Sequence, residues 1–146
     1  MIQFMKYVGV EYGEGPGQHK CWSLIRWVYK DELGIDLKDY RGVEDDIADK
    51  LRVAREMKRD YQIYPWTQVP IPQDYDVVVM AGHMLREGVA HRAPLHAGVM
   101  LAGKLLHLEG NSNSVWVSLG HPSVSRRIIA FCRHEQMLVK GREARA

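Results

Sequence analysis

Cysteine is scarce in this chain. Cys21 and Cys132 are its two in 146 residues, and they lie far apart in different kinds of local sequence, so a disulfide has no positive support. No apolar run reaches the roughly 18 residues that a membrane span needs, which excludes that class. The opening Met1-Ile-Gln-Phe-Met-Lys-Tyr7 has neither the charged start nor the apolar stretch of a secretory signal, so the chain is expected to be made in a cytoplasm and to stay soluble unless something else carries it out. An excess of charge of one sign is missing too. Twenty basic residues against 18 acidic ones leave +2, and a nucleic-acid binder usually shows a basic stripe interleaved with aromatics, so no nucleic-acid partner is expected. Lys140 to Ala146 is the only basic tail, and there are no repeats or low-complexity segments.

What is present suits a single domain over residues 1–146, long enough to bury about 68–70% of its unfolded surface around one core. Met1 to Tyr12 reads as an edge strand or an extended arm. From Cys21 onward, Leu24, Ile25, Val28 and Leu33 recur at helical spacing and Gly34 supplies a stop, which predicts a first helix beginning at or beside the cysteine. Val43, Ile47, Leu51, Ala54 and Met57 predict a second, amphipathic helix between Val43 and Arg59. Tyr64 to Asp74 carries three prolines in eight residues and reads as a connector without regular structure. Strands follow: Asp76 to Met80, then a polar loop from Gly82 to Pro94 holding His83 and His91. His96–Leu101 and Leu105–Glu109 form a hairpin about Ala102-Gly103, followed by Ser114–Leu119 and Arg126–Arg133, with Cys132 a core residue of the last. Helices first and strands afterwards predict an α+β fold with N-terminal helices packed on a C-terminal antiparallel sheet.

The chemistry is sought at Cys21. A helix N-terminus carries roughly half a positive charge, which lowers a thiol pKa, and Lys20 pushes the same way, so a reactive thiolate is expected. Hairpin geometry supplies a partner. If Leu101 pairs with Lys104 across the two-residue turn, Gly98 faces His107 and His96 faces Glu109, so His96 and His107 share a sheet face with Gly98 leaving room between them. Cys21 as nucleophile, His96 as base and His107 as orienting residue outline a triad, with Glu109 as the alternative to His107. His19, His83, His121 and His134 read as loop or surface residues, His19 lying beside the cleft. A metal site of Cys21, His96 and His107, with or without His91, matches no H-E-x-x-H or C-x-x-C spacing, and no metal or other cofactor is expected.

Three blocks of this sequence, in order, resemble the NlpC/p-sixty cysteine peptidases. They are Cys21-Trp-Ser-Leu-Ile-Arg-Trp-Val-Tyr-Lys-Asp-Glu-Leu-Gly-Ile35, Asp74-Tyr-Asp-Val-Val-Val79, and His96-Ala-Gly-Val-Met-Leu101 with Lys104-Leu-Leu-His107. The family shows a D-C-S-G helix start, a G-D-L-V-F strand and an H-V-G-I-Y strand followed by a third polar residue. The resemblance spans roughly Val10 to Leu119, and it implies a papain-like NlpC-type fold with Cys21, His96 and His107 as the catalytic set. The wording around C-W-S-L-I-R-W-V-Y and Pro94-Leu-His96 is closest to the phage tail branch, which includes tail-tip assembly proteins and gene transfer agent peptidases. That likeness implies a cysteine endopeptidase of the virion tail, made in the bacterial host cytoplasm and acting at the host cell wall. It would cut peptidoglycan stem peptides during tail assembly or DNA entry, with tail-tip or baseplate proteins as partners. The chain departs from the pattern in three places. Lys20 replaces the acidic residue before the nucleophile, Trp22-Ser23 replaces the small pair after it, and Val10 stands where an upstream tyrosine helps the oxyanion site, leaving Tyr12 as a nearby candidate. These departures keep open a second expectation, an inactive structural tail-tip or baseplate subunit with the same fold.

Overall fold

A computed structural model of the chain describes residues 3–39, 56, 58–81, 85, 86, 89, 90, 94–110 and 112–138. The helix expected at Cys21 starts there, because Lys20 is extended and its amide N–H donates to Ser23 Oγ at 2.8 Å, half of a capping box. Helix α1 spans Cys21–Val28 and buries Leu24, Ile25 and Val28. A π-helical turn, Tyr29–Leu33, continues it, and Gly34 ends it in the left-handed conformation at φ 67°, which a residue without Cβ adopts at no steric cost. The following segment is tied back to α1. Arg26 Nε donates to Leu37 O at 2.9 Å, and Trp22 Nε1 to Lys38 O at 2.6 Å.

Among the described residues eight strands follow: β1 Trp66–Val69, β2 Val77–Ala81, β3 Leu85–Arg86, β4 Val89–Ala90, β5 Pro94–Leu101, β6 Lys104–His107, β7 Val115–Val117 and β8 Ile128–His134. The fold is α+β. Six of the strands form one antiparallel sheet in the order β1-β8-β2-β5-β6-β7, and β3 pairs with β4 alone. The β5–β6 hairpin has the expected register, with Gly98 opposite His107 and Leu101 opposite Lys104. Its turn residues, Ala102 and Gly103, both have positive φ, 47° and 83°, as a two-residue turn matched to strand twist requires. On one sheet face Val77, Val79, Ala97, Val99, Leu101, Leu106 and Leu108 pack with Leu24, Ile25 and Val28 of α1. On the other, Val78, Met80, Met100 and Leu105 pack with Val124 of the short helix Pro122–Ser125.

Four expectations are corrected. The N-terminal segment is a 3₁₀ helix, Gln3–Tyr7, rather than a strand or arm. It is strapped to β7 through Ser114, whose hydroxyl donates to Tyr7 O and accepts from Val10 N. The proline-rich connector contains β1, because Pro65 and Pro70 bracket four residues free to pair and an edge strand tolerates proline beside it. Within the loop expected from Gly82 to Pro94, Leu85–Arg86 and Val89–Ala90 form the β3–β4 pair and Pro94 already begins β5. His134, expected at the surface, is buried where the aromatic rings of Tyr29 and Trp66 close over it at 6.0 and 5.1 Å between centroids. The second helix lies outside the described residues except near its end, where residues 58–60 are helical. His83, His91 and the basic tail lie outside them entirely.

Candidate functional site

Two β-bulges shape the end of β2. Against β5 the register shifts between Met80 and Ala81, making Leu95 the extra residue immediately before His96. Against β8 it shifts between Val79 and Met80, making Ile129 the extra residue. Bulges raise local twist and re-aim side chains, and these two flank the place where His96 and Arg127 leave the backbone. His96, opposite Met80, is buried, and so is His107. Their rings meet with His96 Nε2 2.9 Å from His107 Nδ1. Gly98 permits this approach, since a Cβ there would lie 2.9 Å from His107 Cβ and 2.8 Å from the Leu106 carbonyl oxygen.

Alternation along β5 places Ala97 on the face that α1 covers and His96 on the opposite one. The Cys21 thiol, partly buried at the head of α1, reaches the strand at its leading end, where the amide N–H groups of Ala97 and Trp22 act on it. The thiol therefore abuts the peptide that joins His96 to Ala97. His96 Nε2 is engaged with His107, so a thiol proton passed to His96 would have to go to Nδ1. To accept it, His96 must carry its own proton on Nε2 and donate it to His107 Nδ1, which puts the His107 proton on Nε2. That nitrogen is buried and has no hydrogen-bond partner among the described residues. Leaving a buried donor unpaired costs about 1–3 kcal/mol, so the tautomer that suits catalysis is not free.

The expected thiolate is corrected. Burial pushes the Cys21 thiol up, the Ala97 and Trp22 amides pull it down, Glu109 raises it and Lys20 lowers it, and the balance stays above the ordinary value. Burial likewise holds His107 below the ordinary imidazole value, with Glu109 acting against it and Arg127 with it. The helix N-terminus and one lysine do not outweigh the loss of solvent. Burial thus works against the charged form of both the Cys21 thiol and the His107 imidazole.

Glu109, the alternative orienting residue, stands behind the pair. Its Oε1 is 3.8 Å from His107 Nδ1, and Arg127 grips both its oxygens, Nη1 to Oε1 at 2.8 Å and Nη2 to Oε2 at 2.7 Å. Burial raises the Glu109 carboxyl, but the Arg127 guanidinium and the two imidazoles outweigh it and hold the pKa at about 2. Sequence reading did not single out Arg127. No local pattern links it to Glu109, because the contact arises where β8 begins beside the bulged end of β2. Donor atoms of His96, His107 and Glu109 lie within 4.8 Å of one another, close enough to surround a metal ion. The geometry instead commits each imidazole to the other and the carboxylate to a guanidinium, which is a hydrogen-bond network.

Tyr12 pairs with His19 in an isolated bridge, lies 3.8 Å from where a Cβ at Gly110 would stand, and has Lys20 Nζ 5.9 Å from its ring centroid. Lys20 also pairs with the exposed carboxylate of Glu14 at 3.4 Å. His19 stacks on Trp27 at 5.0 Å and faces Ser23 Oγ at 3.3 Å. His121 is exposed and caps the short helix, accepting from Ser123 N. Cys132 is buried in β8, and both cysteines are free.

On its own terms this is an α+β protein with a helix-borne thiol at the head of a strand whose first buried histidine is hydrogen-bonded to a second. No protein-family model matches the chain, and no curated protein matches it.

Proposed function

We propose that this chain is a papain-like, NlpC-type cysteine peptidase that hydrolyses amide bonds in peptidoglycan stem peptides, with Cys21 as nucleophile, His96 as base and His107 as orienting residue. The observation that carries the reading is the 2.9 Å contact between His96 Nε2 and His107 Nδ1, on the strand whose Ala97 amide the Cys21 thiol meets; the reading assigns the thiol proton to His96 Nδ1. In this reading the S–H proton passes to His96 Nδ1 as sulfur attacks the amide carbonyl. The C–N bond then breaks and the amine leaves with that proton. Water, deprotonated by the same nitrogen, hydrolyses the thioester and restores the thiol. The resemblance to the phage tail branch supports a place in the virion tail, with tail-tip or baseplate proteins as neighbours and the host cell wall as target. Digestion of purified peptidoglycan, read by mass spectrometry, tests it. Wild-type protein is expected to release stem-peptide fragments and Cys21→Ala to release none while keeping its fold; equal output from both, or none from either, contradicts the reading.

One observation favours the second expectation, an inactive tail subunit. Burial lifts the thiol pKa instead of lowering it. Under that reading neither protein digests peptidoglycan, and Cys21→Ala supports tail assembly as well as wild type.

A further inference from the structure

Arg127 is fixed from several sides. Its Nε donates to Ala81 O at 2.9 Å, its Nη1 to Ser123 O at 3.3 Å, its carbonyl accepts from the Ala81 N–H at 2.7 Å, and its own N–H donates to Val124 O at 2.8 Å. A guanidinium held this way does not follow its partner, so the partner follows it. Glu109 is accordingly locked with Oε1 toward His107. The charged groups that act on His107 are Glu109 after β6 and Arg127 before β8, while Glu109 and Lys20 act on the Cys21 thiol at the head of α1.

We propose that Glu109, clamped by Arg127, is a positioning residue that supplies the fixed counter-charge for the His96–His107 pair when the pair takes up a proton. The proposal rests on the peptidase reading for its catalytic meaning, though its electrostatics do not need it. When the thiol proton arrives at His96 Nδ1, the pair becomes a cation whose second proton is shared between His96 Nε2 and His107 Nδ1. Glu109 meets that charge at 3.8 Å and stays ionised throughout, so no proton moves onto the carboxylate. Arg127 offsets the Glu109 charge through both carboxylate oxygens. Glu109 is therefore balanced by Arg127 before the pair takes up a proton and faces the pair once it has.

NMR titration of the two imidazoles in the free full-length chain tests this without any substrate. Glu109→Gln, which keeps the shape and loses the charge, is expected to lower the apparent pKa of the pair by about one unit, since an opposite charge within about 4–6 Å shifts a group by about 1–3. Arg127→Met is expected to raise it, and Glu109→Asp to restore the wild-type value. Opposite shifts are not what loss of packing produces. Should Arg127→Met fail to fold, the contrast between Glu109→Gln and Glu109→Asp decides. An unmoved pKa in Glu109→Gln, or shifts of the same sign in both charge-removing variants, overturns the proposal. In peptidoglycan digestion, the acid limb of kcat is expected to follow the same shifts with KM unchanged. Shifted imidazoles in a chain that cleaves nothing keep the electrostatic role and remove the peptidase.

Discussion

Gly98 sets whether the two imidazoles meet. Any Cβ at this position comes within 2.6 Å of Leu105 Cδ1 as well as close to the backbone of β6, so a larger residue must push the hairpin strands apart. Gly98→Ala is expected to destabilise the fold by about 1–3 kcal/mol, the usual cost of overpacking, measured as a lower urea midpoint; an unchanged midpoint contradicts it. The spacing role of Gly98 was legible in the sequence, because a two-residue turn at Ala102-Gly103 dictates which residues face each other. The protonation state of Cys21 was not. Helix start and neighbouring lysine are local signals, whereas the burial that dominates is set by α1 against β5, which sequence spacing does not report. The Glu109–Arg127 pair was half legible, since Glu109 follows from hairpin register but Arg127 arrives through the irregular end of β2.

At the scale of elements, the hairpin, α1 with its Gly34 stop, β2, β7 and β8 all follow from periodicity and turn residues. β1 is hidden in the sequence because proline signals a break locally, whereas here Pro65 and Pro70 only punctuate a short edge strand. The 3₁₀ helix Gln3–Tyr7 escaped because its anchor lies more than a hundred residues away in sequence. That anchor is Ser114, which donates to Tyr7 O at 2.6 Å and accepts from Val10 N at 2.8 Å, while its backbone bonds Gly9 and Val10. Ser114→Ala leaves the Tyr7 carbonyl and the Val10 N–H without that partner, so a loss of about 1–3 kcal/mol is expected in urea unfolding. Loss below about 0.5 kcal/mol would show that the strap is idle, being smaller than one ordinary hydrogen bond contributes.

For the molecule as a whole, buried imidazoles set the response to pH. Burial lowers His19, His107 and His134 below 6.5, so on that side the unfolded chain binds more protons than the folded one. Stability from these groups is complete above 6.5 and is lost as pH falls through that value toward their folded pKa values. Glu109 adds a second loss. Its stabilisation is present above its ordinary 4.5 and disappears as pH falls toward about 2. Unfolding free energy is therefore expected to decline continuously below about pH 6.5, and a flat profile between 6.5 and 4.5 contradicts the buried imidazoles.

Coupling between the thiol at the head of α1 and the imidazole at the head of β5 is what everything functional depends on. Iodoacetamide labelling at neutral pH reads it directly, with Cys132 as internal control, its pKa driven to about 12 by burial and by Asp76. Cys21 is expected to react faster than Cys132, and His96→Ala to slow Cys21 by at least about tenfold as the base is lost. Cys21 reacting at the same rate with and without His96 would show that the two groups do not act together.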